Sequence, residues 1–275
     1  MRFAVLLVLA GLLLHVAEAH ETARATYVGN EGVLVARGQT KVLFDAFYSD
    51  SYGKYLTVPA GIRDAMMRSE APYDGVDVVL VSHIHGDHFS PAPMIAYLRA
   101  QPQVCLYAPR QVVEALARAG LPAGDPVIAR IVAVDLSPDD EARTFSIAGL
   151  EIDVVALPHD GDLPEIQNYS WRVTLDDATT VIHFGDAGAV IEHFERHKEH
   201  FDAREHAAAF PPFWWYLQDL GRAVLETYVK ADQTIGIHVP ASSVGKGDEM
   251  RSEFGGDIFT DPGETRDIGS HARAR

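Results

Sequence analysis

The feature that most constrains this chain is the turn at residues 83–88, with the sequence HIHGDH. It directly follows the mainly apolar run 76–81, which is typical of a buried β-strand. Three imidazoles and one carboxylate at the end of such a strand would be costly to bury without partners. Because these groups are common ligands of divalent metals, the sequence predicts a metal site at this turn, which we call the histidine turn.

The histidine turn has enough donors for two metal positions. His83 and His85 alternate along the chain and can point the same way, while the flexible Gly86 can redirect Asp87 and His88 to a neighbouring position. Each position still needs ligands from elsewhere in the chain.

Three later residues can complete these positions, because each follows its own hydrophobic stretch. They are His159, Asp186 and His238. A lone histidine is more often a structural residue, but beside the histidine turn we predict that all three are ligands. His183 alternates within a strand, so we predict that it packs in the core or supports the ligands.

Composition limits the possible partners. The chain has 275 residues, 47% of them hydrophobic, and a formal net charge of −16. Such a surface repels polyanions, which argues against nucleic acid and strongly anionic membranes and favours a small-molecule substrate. The single cysteine, Cys105, excludes an internal disulfide.

The N-terminus predicts export to the periplasm or the medium. Residues 1–19 combine Arg2, an apolar run of 12 residues and a small-residue cleavage site, which is the pattern of a cleaved signal peptide. The run is shorter than the roughly 20 residues that cross a bilayer, so no stable membrane insertion is expected. We predict one domain at residues 20–262 and a loosely ordered tail at 263–275.

Hydrophobic patterning predicts a mixture of strands and helices. The segments 32–37 and 41–45 predict an opening β-hairpin. Further strands are expected at 76–81, near Cys105, and at 130–134, 143–147, 150–157, 169–175, 179–184 and 234–237. Helices are expected at 62–69, 91–101, 110–119, 189–201 and 215–229. This alternation favours an α+β fold with helices outside packed sheets.

From about residue 26 to 262, the histidine turn, a lone histidine, Gly185-Asp186 and a final histidine together resemble the metallo-β-lactamase-fold hydrolase superfamily. The resemblance implies a four-layer αββα sandwich with two divalent metals at one edge of its sheets. It also implies a bridging role for Asp186. The first metal would be held by His83, His85 and His159, and the second by Asp87, His88 and His238.

The bridging aspartate favours one branch of this superfamily. True metallo-β-lactamases lack it, whereas phosphodiesterase, lactonase and thioesterase-like members have it at the position of Asp186. The segments 211–216 and 237–240 are similar to the subgroup that includes ascorbate-6-phosphate lactonase and N-acylphosphatidylethanolamine phospholipase D. We therefore expect a small ester-type substrate, either a phosphodiester or a lactone.

Two divalent ions can lower the pKa of a shared water to roughly 7 and polarise the scissile group. Asp87 and Asp186 would orient the resulting hydroxide as catalytic residues. Zinc suits these ligands best, and manganese or iron also fits. A serine hydrolase has little support, because no G-x-S-x-G motif occurs. Two alternatives stay open: a β-lactamase-like amide hydrolase and a non-catalytic periplasmic metal-binding protein.

Other residues have less specific interpretations. The charges in segment 192–200 favour a solvated helix face over a zinc site for its three histidines. Asp160 and Lys246 are candidates for leaving-group protonation or anion contact. Two aromatic groups could line the substrate site or simply pack, namely Tyr48, Tyr52 and Tyr55, and Trp214, Trp215 and Tyr216.

Overall fold

A computed structural model describes residues 22–176 and 179–269. The predicted signal peptide lies outside the described residues. Within them, no helix is both long and apolar enough to cross a membrane. The strands in chain order are β1 (Ala23–Gly29), β2 (Gly32–Arg37), β3 (Thr40–Phe44), β4 (Val78–Leu80), β5 (Cys105–Pro109), β6 (Ile131–Val134), β7 (Arg143–Ile147), β8 (Leu150–Ala156), β9 (Tyr169–Asp176), β10 (Thr179–His183), β11 (Ala208–Phe210), β12 (Gln233–Gly236), β13 (Asp257–Ile258) and β14 (Thr265–Ile268).

These strands form two seven-stranded mixed sheets. The first has the order β14-β1-β2-β3-β4-β5-β6 and the second the order β13-β12-β11-β10-β9-β8-β7. The first sheet is antiparallel from β14 to β3 and parallel from β3 to β6. The second is antiparallel from β7 to β10 and parallel from β10 to β13.

The helices are α1 (Ala60–Met67), α2 (Pro91–Ala100), α3 (Arg110–Arg118), α4 (Ile191–Arg196), α5 (Lys198–Asp202), α6 (Asp219–Val224) and α7 (Gly247–Phe254). Short 3₁₀ turns occupy Pro126–Arg130, Phe213–Leu217 and Ala241–Ser243, and a π-helical turn spans Leu225–Val229. Pro91 occupies the first turn of α2, where its missing N–H costs nothing.

Alternating side chains sort the interior into separate layers. Val33 and Val35 of β2 point into the core between the sheets, whereas Leu34 packs outward under α1, α2 and α3. On the second sheet, Ile182 of β10 faces outward and packs with Phe194 of α4. Helices therefore cover both outer faces, and the αββα sandwich expected from the sequence is confirmed.

This topology brings several strand ends to one edge. Because β8 and β10 both pair antiparallel with β9, they run in the same direction, and β12 runs parallel to them through β11. In the first sheet, β4 ends just before the histidine turn. The Trp171 indole N–H donates to the Val81 carbonyl at 2.9 Å and ties this end of β4 to the second sheet.

The structure corrects the predicted tail. Thr265–Ile268 forms edge strand β14, which pairs antiparallel with β1, so a loosely ordered tail from residue 263 is wrong for this segment. Residues 270–275 lie outside the described part of the chain. Other elements that the pattern did not predict are β1, β11, β13 and α7.

Candidate metal centre

The histidine turn is held by its own backbone. The N–H groups of His88 and Phe89 both donate to the His85 carbonyl, at 3.1 and 2.9 Å. The Gly86 N–H donates to the Tyr52 hydroxyl at 3.0 Å. His83 and His88 are fully buried, and His85 is partly exposed. These hydrogen bonds define the conformation in which the turn presents its donors.

The first group of donors contains His83, His85, His159 and Asp186. Nδ1 of His85 lies 2.9 Å from Nε2 of His83 and 3.1 Å from Nε2 of His159. Oδ2 of Asp186 lies 3.4 Å from Nε2 of His159 and 3.9 Å from Nε2 of His83. Three imidazoles and one carboxylate oxygen thus converge on one point.

The second group contains Asp87, His88 and His238, joined by the other oxygen of Asp186. Nε2 of His88 lies 3.2 Å from Nε2 of His238. Oδ2 of Asp87 is 3.4 Å from Nε2 of His238 and 3.8 Å from Nε2 of His88. Oδ1 of Asp186 is 3.3 Å from His238 and 3.4 Å from His88.

These distances test whether divalent metals fit. Donor atoms on a tetrahedral zinc with bonds of about 2.05 Å are about 3.3 Å apart. The distances in the two groups, 2.9–3.9 Å, scatter around this value. Hydrogen bonds explain the arrangement less well. Nδ1 of His85 lies close to Nε2 of both His83 and His159, and a single proton on these three nitrogens could form a hydrogen bond between only two of them. Oδ1 of Asp186 is buried without a hydrogen bond among the described residues. The residues therefore fit a pair of divalent cations.

The structure brings all seven predicted ligand residues together. Asp186 lies between the two groups, with Oδ2 towards the first and Oδ1 towards the second. His83 and His88 also approach closely, with ring centroids 4.0 Å apart. A single carboxylate therefore connects both donor sets.

Backbone and side-chain contacts orient the donor rings. Nδ1 of His88 lies 2.9 Å from Oδ2 of Asp45, and Asp45 also accepts hydrogen bonds from the Ser82 N–H at 2.8 Å and from the Ser82 hydroxyl. Nδ1 of His159 donates to the Asp160 carbonyl at 2.6 Å. In both rings this leaves the Nε2 lone pair free to face the site.

Sequence reasoning did not identify Asp45. It follows β3 directly, as the ligand candidates follow their strands, and this position was the available signal. Asn168 was also missed: its amide donates to the Leu157 and Phe184 carbonyls, both at 3.1 Å, and its oxygen accepts the Asp186 N–H at 3.1 Å. Asn168 thereby fixes the loops that carry His159 and Asp186.

Two residues behind the second group are fully buried. His183 stacks on Phe44, and its Nε2 donates to the Glu31 carbonyl at 3.0 Å, which agrees with its predicted place in the core or behind the ligands. The Glu31 side chain was not identified from the sequence. Asn30, next to it, donates to the Asp87 carbonyl at 2.9 Å and to Oδ2 of Asp87 at 3.3 Å.

In the metal-free protein, burial and charge act differently on each ring. Burial lowers the pKa of His83 well below its usual range. Burial also opposes protonation of His238, yet the charge of Asp186 raises its pKa to about 10. The pKa of His88 is likewise raised by Asp186 against the effect of burial. Although burial opposes ionisation of Asp186, the charges of His238 and His88 hold its pKa well below normal. A bound cation would replace these protons.

Aromatic residues border the second group. Tyr55 meets the His238 ring edge-on, with centroids 4.2 Å apart, and Trp214 does so at 5.1 Å. The other aromatic candidates are structural or peripheral. Trp215 is buried in the core and donates to the Ala187 carbonyl. Tyr216 donates to the carbonyls of Thr234 and Asp257. Tyr48 is buried, and the hydroxyl of Tyr52 accepts a hydrogen bond from the Gly86 N–H.

The remaining candidate residues from the sequence, Asp160, Lys246 and the histidines of segment 192–200, differ in how they relate to the site. Asp160 contacts the site through its backbone, since its N–H donates to the Asp186 carbonyl at 2.6 Å. Lys246 lines a surface depression with Asp248 and Asp261 that includes none of the seven donors. The predicted solvated face of segment 192–200 is wrong for two of its histidines. His197 and His200 are buried, because the helix breaks there and turns them against the second sheet.

Comparisons with known proteins agree with this architecture. A family model described as a β-lactamase superfamily domain matches residues 40–224. No curated protein matches the chain. A possible metal-dependent hydrolase from Veillonella parvula is similar in structure, with a TM-score of 0.60 and 14% identity over 90% of this chain and 100% of that one.

Two further solved structures show the same fold. An isothiocyanate hydrolase from Delia radicum gut bacteria has a TM-score of 0.60 and 15% identity, over 90% of this chain and 99% of that one. Igni18, a metallo hydrolase from Ignicoccus hospitalis, has a TM-score of 0.58 and 16% identity, with the same coverage. The three solved structures thus have the same fold as this chain. The family match spans more than half of the chain, and the chain therefore belongs to the β-lactamase superfamily.

Proposed function

We propose that this protein is a dinuclear metal-dependent hydrolase that cleaves a small ester-type substrate, either a phosphodiester or a lactone. The observation that carries the proposal is the position of Asp186, whose two oxygens face two separate donor sets. A structural metal site needs one closed donor set, whereas a shared carboxylate is suited to holding two ions side by side.

The residues that would hold each ion follow from the two groups. His83, His85 and His159 would hold the first, Asp87, His88 and His238 the second, and Asp186 both. When bound, such a pair lowers the pKa of water and polarises the oxygen of the scissile group. Zinc is our first choice of metal, with manganese and iron as alternatives for the same donors.

The chain's own residues prepare this site. Nδ1 of His88 donates a hydrogen bond to Asp45, and Nδ1 of His159 donates one to the Asp160 carbonyl. In its neutral form each ring therefore keeps its proton on Nδ1 and presents the Nε2 lone pair to the site. Asn30 donates to Asp87 and keeps this carboxylate oriented. Asp87 and Asp186 lie at the reacting centre, where their carboxylates would orient the nucleophile and balance the charge of the ions.

The surroundings of the site favour a small substrate of low charge. Tyr55 and Trp214 border His238 and offer apolar surface for the non-reacting part of a substrate. The net charge of −16 disfavours polyanionic substrates. A phosphomonoester or nucleic acid is therefore a poorer match than a lactone or a singly charged phosphodiester.

A substrate panel combined with metal analysis tests the proposal. Protein loaded with zinc or manganese would be assayed against bis-p-nitrophenyl phosphate, a set of lactones, a thioester, a chromogenic β-lactam and an isothiocyanate. We expect two metals per chain and turnover of the phosphodiester or a lactone. Hydrolysis of the β-lactam alone would instead identify an amide hydrolase. No turnover of any substrate by fully loaded protein would favour a metal-binding protein without catalysis.

We also propose that the protein is exported, on the signal-peptide pattern of residues 1–19. Mass spectrometry of the mature protein from the periplasm or medium tests this. A mature N-terminus at His20 is expected, and an intact Met1 in the cytoplasmic fraction would contradict it.

A further inference from the structure

Glu31 is a buried carboxylate without an evident structural partner. It lies between β1 and β2, and its side chain is completely buried. Neither of its carboxylate oxygens has a hydrogen-bond partner among the described residues. Burying an unpaired carboxylate is costly, so a residue of this kind requires a compensating group.

The nearest histidines cannot supply that group. Oε2 of Glu31 lies 3.6 Å from Nε2 of His183 and 3.7 Å from Nδ1 of His88. His183 already donates from Nε2 to the Glu31 backbone carbonyl, and His88 faces Asp45 from Nδ1 at the shorter distance of 2.9 Å. Both nitrogens are therefore committed to other acceptors.

A separate cation enclosed by Glu31, Asp45 and His183 is also disfavoured, although these three residues lie close together. Nδ1 of His183 accepts the Gly185 N–H at 3.2 Å, so neither ring nitrogen has a free lone pair. Asp45 is occupied by Ser82 and His88. Glu31 would be left as the only available ligand.

On its other side, Glu31 faces the second donor group. Its carboxylate, a carboxylate oxygen of Asp186 and a ring nitrogen of His238 all lie within 4.8 Å of one another. Oδ1 of Asp186 is also buried without a hydrogen bond among the described residues. Burial and the charge of Asp186 together raise the pKa of Glu31 well above its usual range. A metal ion held between the two carboxylates would remove this repulsion.

We propose that Glu31 is an additional ligand of the second metal, a proposal that rests on the two-metal function given above. The second position would then have three carboxylates, from Glu31, Asp87 and Asp186, and two imidazoles. The first position would have three imidazoles and one carboxylate. Oxygen-rich sets suit manganese and iron better than imidazole-rich sets do, so the second position selects a harder metal than the first.

Glu31→Gln tests this ligand with little change in side-chain size. Because a neutral amide costs less to bury than an unpaired carboxylate, the metal-free variant should melt at the same temperature as the wild type or higher. In chelator competition, its affinity for the second Mn²⁺ should fall at least 10-fold, with the first unchanged. Glu165→Gln, at an exposed position, is the matched control and should change neither quantity.

A crystal structure of the zinc-loaded wild type provides an independent measurement. A carboxylate oxygen of Glu31 within about 2.2 Å of the second metal would support the proposal. Binding of both metals by Glu31→Gln with wild-type affinity, or a Glu31 oxygen beyond coordination distance, would overturn it and leave the two-metal function intact. A wild type that binds only one metal at saturating Mn²⁺ would instead overturn the two-metal function, and this inference with it.

Discussion

Asp186 is the residue on which the two donor sets depend. Each of its oxygens lies 3.3–3.9 Å from the ring nitrogens of its own group. The other donors are anchored independently, His88 by Asp45 and His159 by the Asp160 carbonyl. Loss of the shared carboxylate should therefore affect the metals much more than the fold.

We expect Asp186→Asn to weaken binding of the second metal and to reduce turnover by at least about 100-fold, because an amide offers only one oxygen where the carboxylate offers two. Metal content and kcat measure the effect, and circular dichroism checks the fold. Asp139→Asn, at an exposed ion pair with Arg196, is the matched control. Full activity of Asp186→Asn with one metal per chain would contradict the bridging role.

The convergence of the seven donor residues could be predicted from the sequence because each lies at or soon after the end of a hydrophobic run, and strand ends converge in a sandwich. Their division between two ions was an expectation from the superfamily resemblance. Glu31 and Asn168 could not be assigned in this way, and Asp45 was missed although it follows β3. Their roles depend on hydrogen bonds to residues far along the chain, such as Asp45 with His88 and Asn168 with Phe184. No local pattern of residue types encodes such pairs.

At the scale of elements, the short loop after β10 has little room. Gly185 has φ of +55°, and a Cβ there would lie 2.5 Å from both Oδ1 of Asn168 and Cβ of Ser82. These two residues hold the loops of the metal centre, so this glycine is required by close packing as well as by its backbone conformation.

Gly185→Ala should destabilise the metal-free protein by about 2–4 kcal/mol, from overpacking added to left-handed strain. Urea unfolding measures this loss. Gly75→Ala is the control, because Gly75 has a similar φ of +61° and, among the described residues, open space at its Cβ. Equal losses in the two variants would show that backbone strain alone is responsible.

The buried end of α5 should make stability depend on pH. Burial, aided by the charge of Arg172, holds the pKa of His200 well below its usual value of 6.5. His200 is thus neutral when folded but binds a proton below about pH 6.5 when unfolded. Its contribution is complete above pH 6.5 and is lost as the pH falls, by up to about 1.4 kcal/mol per pH unit.

His200→Gln should therefore lose less unfolding free energy than the wild type between pH 7 and pH 5. Denaturant unfolding of both proteins in metal-free buffer at each pH gives the difference, and the metal-ligand histidines contribute equally to both. Parallel pH profiles would contradict the assignment.

Among the elements, the opening hairpin and the strands before each ligand were predicted correctly. The edge strand Thr265–Ile268 was missed because its sequence is polar, and it forms through pairing with β1, more than 200 residues away. The prediction that His197 and His200 lie on a solvated helix face was also wrong because the tertiary structure overrides the local pattern. The charges around them are exposed, but the break between α4 and α5 turns both rings inward.

At the scale of the whole molecule, the metal centre joins the two sheets. The histidine turn follows β4 of the first sheet, while His159, Asp186 and His238 follow β8, β10 and β12 of the second. Ions bound there would contact both sheets and stabilise the folded chain by mass action.

Removal of metal should lower the melting temperature by roughly 10 °C, because binding at 1,000 times Kd contributes about 4 kcal/mol and each kcal/mol shifts Tm by about 2–4 °C in a domain of this size. Calorimetry of chelated and reloaded protein measures the shift. Identical melting temperatures would indicate that the ions do not link the sheets.

The division of donors between the two parts of the chain has a further consequence. Before residue 135 lie His83 and His85 of the first donor group and Asp87 and His88 of the second, with Glu31 as the proposed addition to the second group. After residue 142 lie His159, His238 and Asp186, and Asp186 faces both groups. Neither part alone can offer a complete coordination set. Tight binding of cations would therefore require both parts of the chain to be in their folded arrangement, so that metal content would measure the fraction of folded protein.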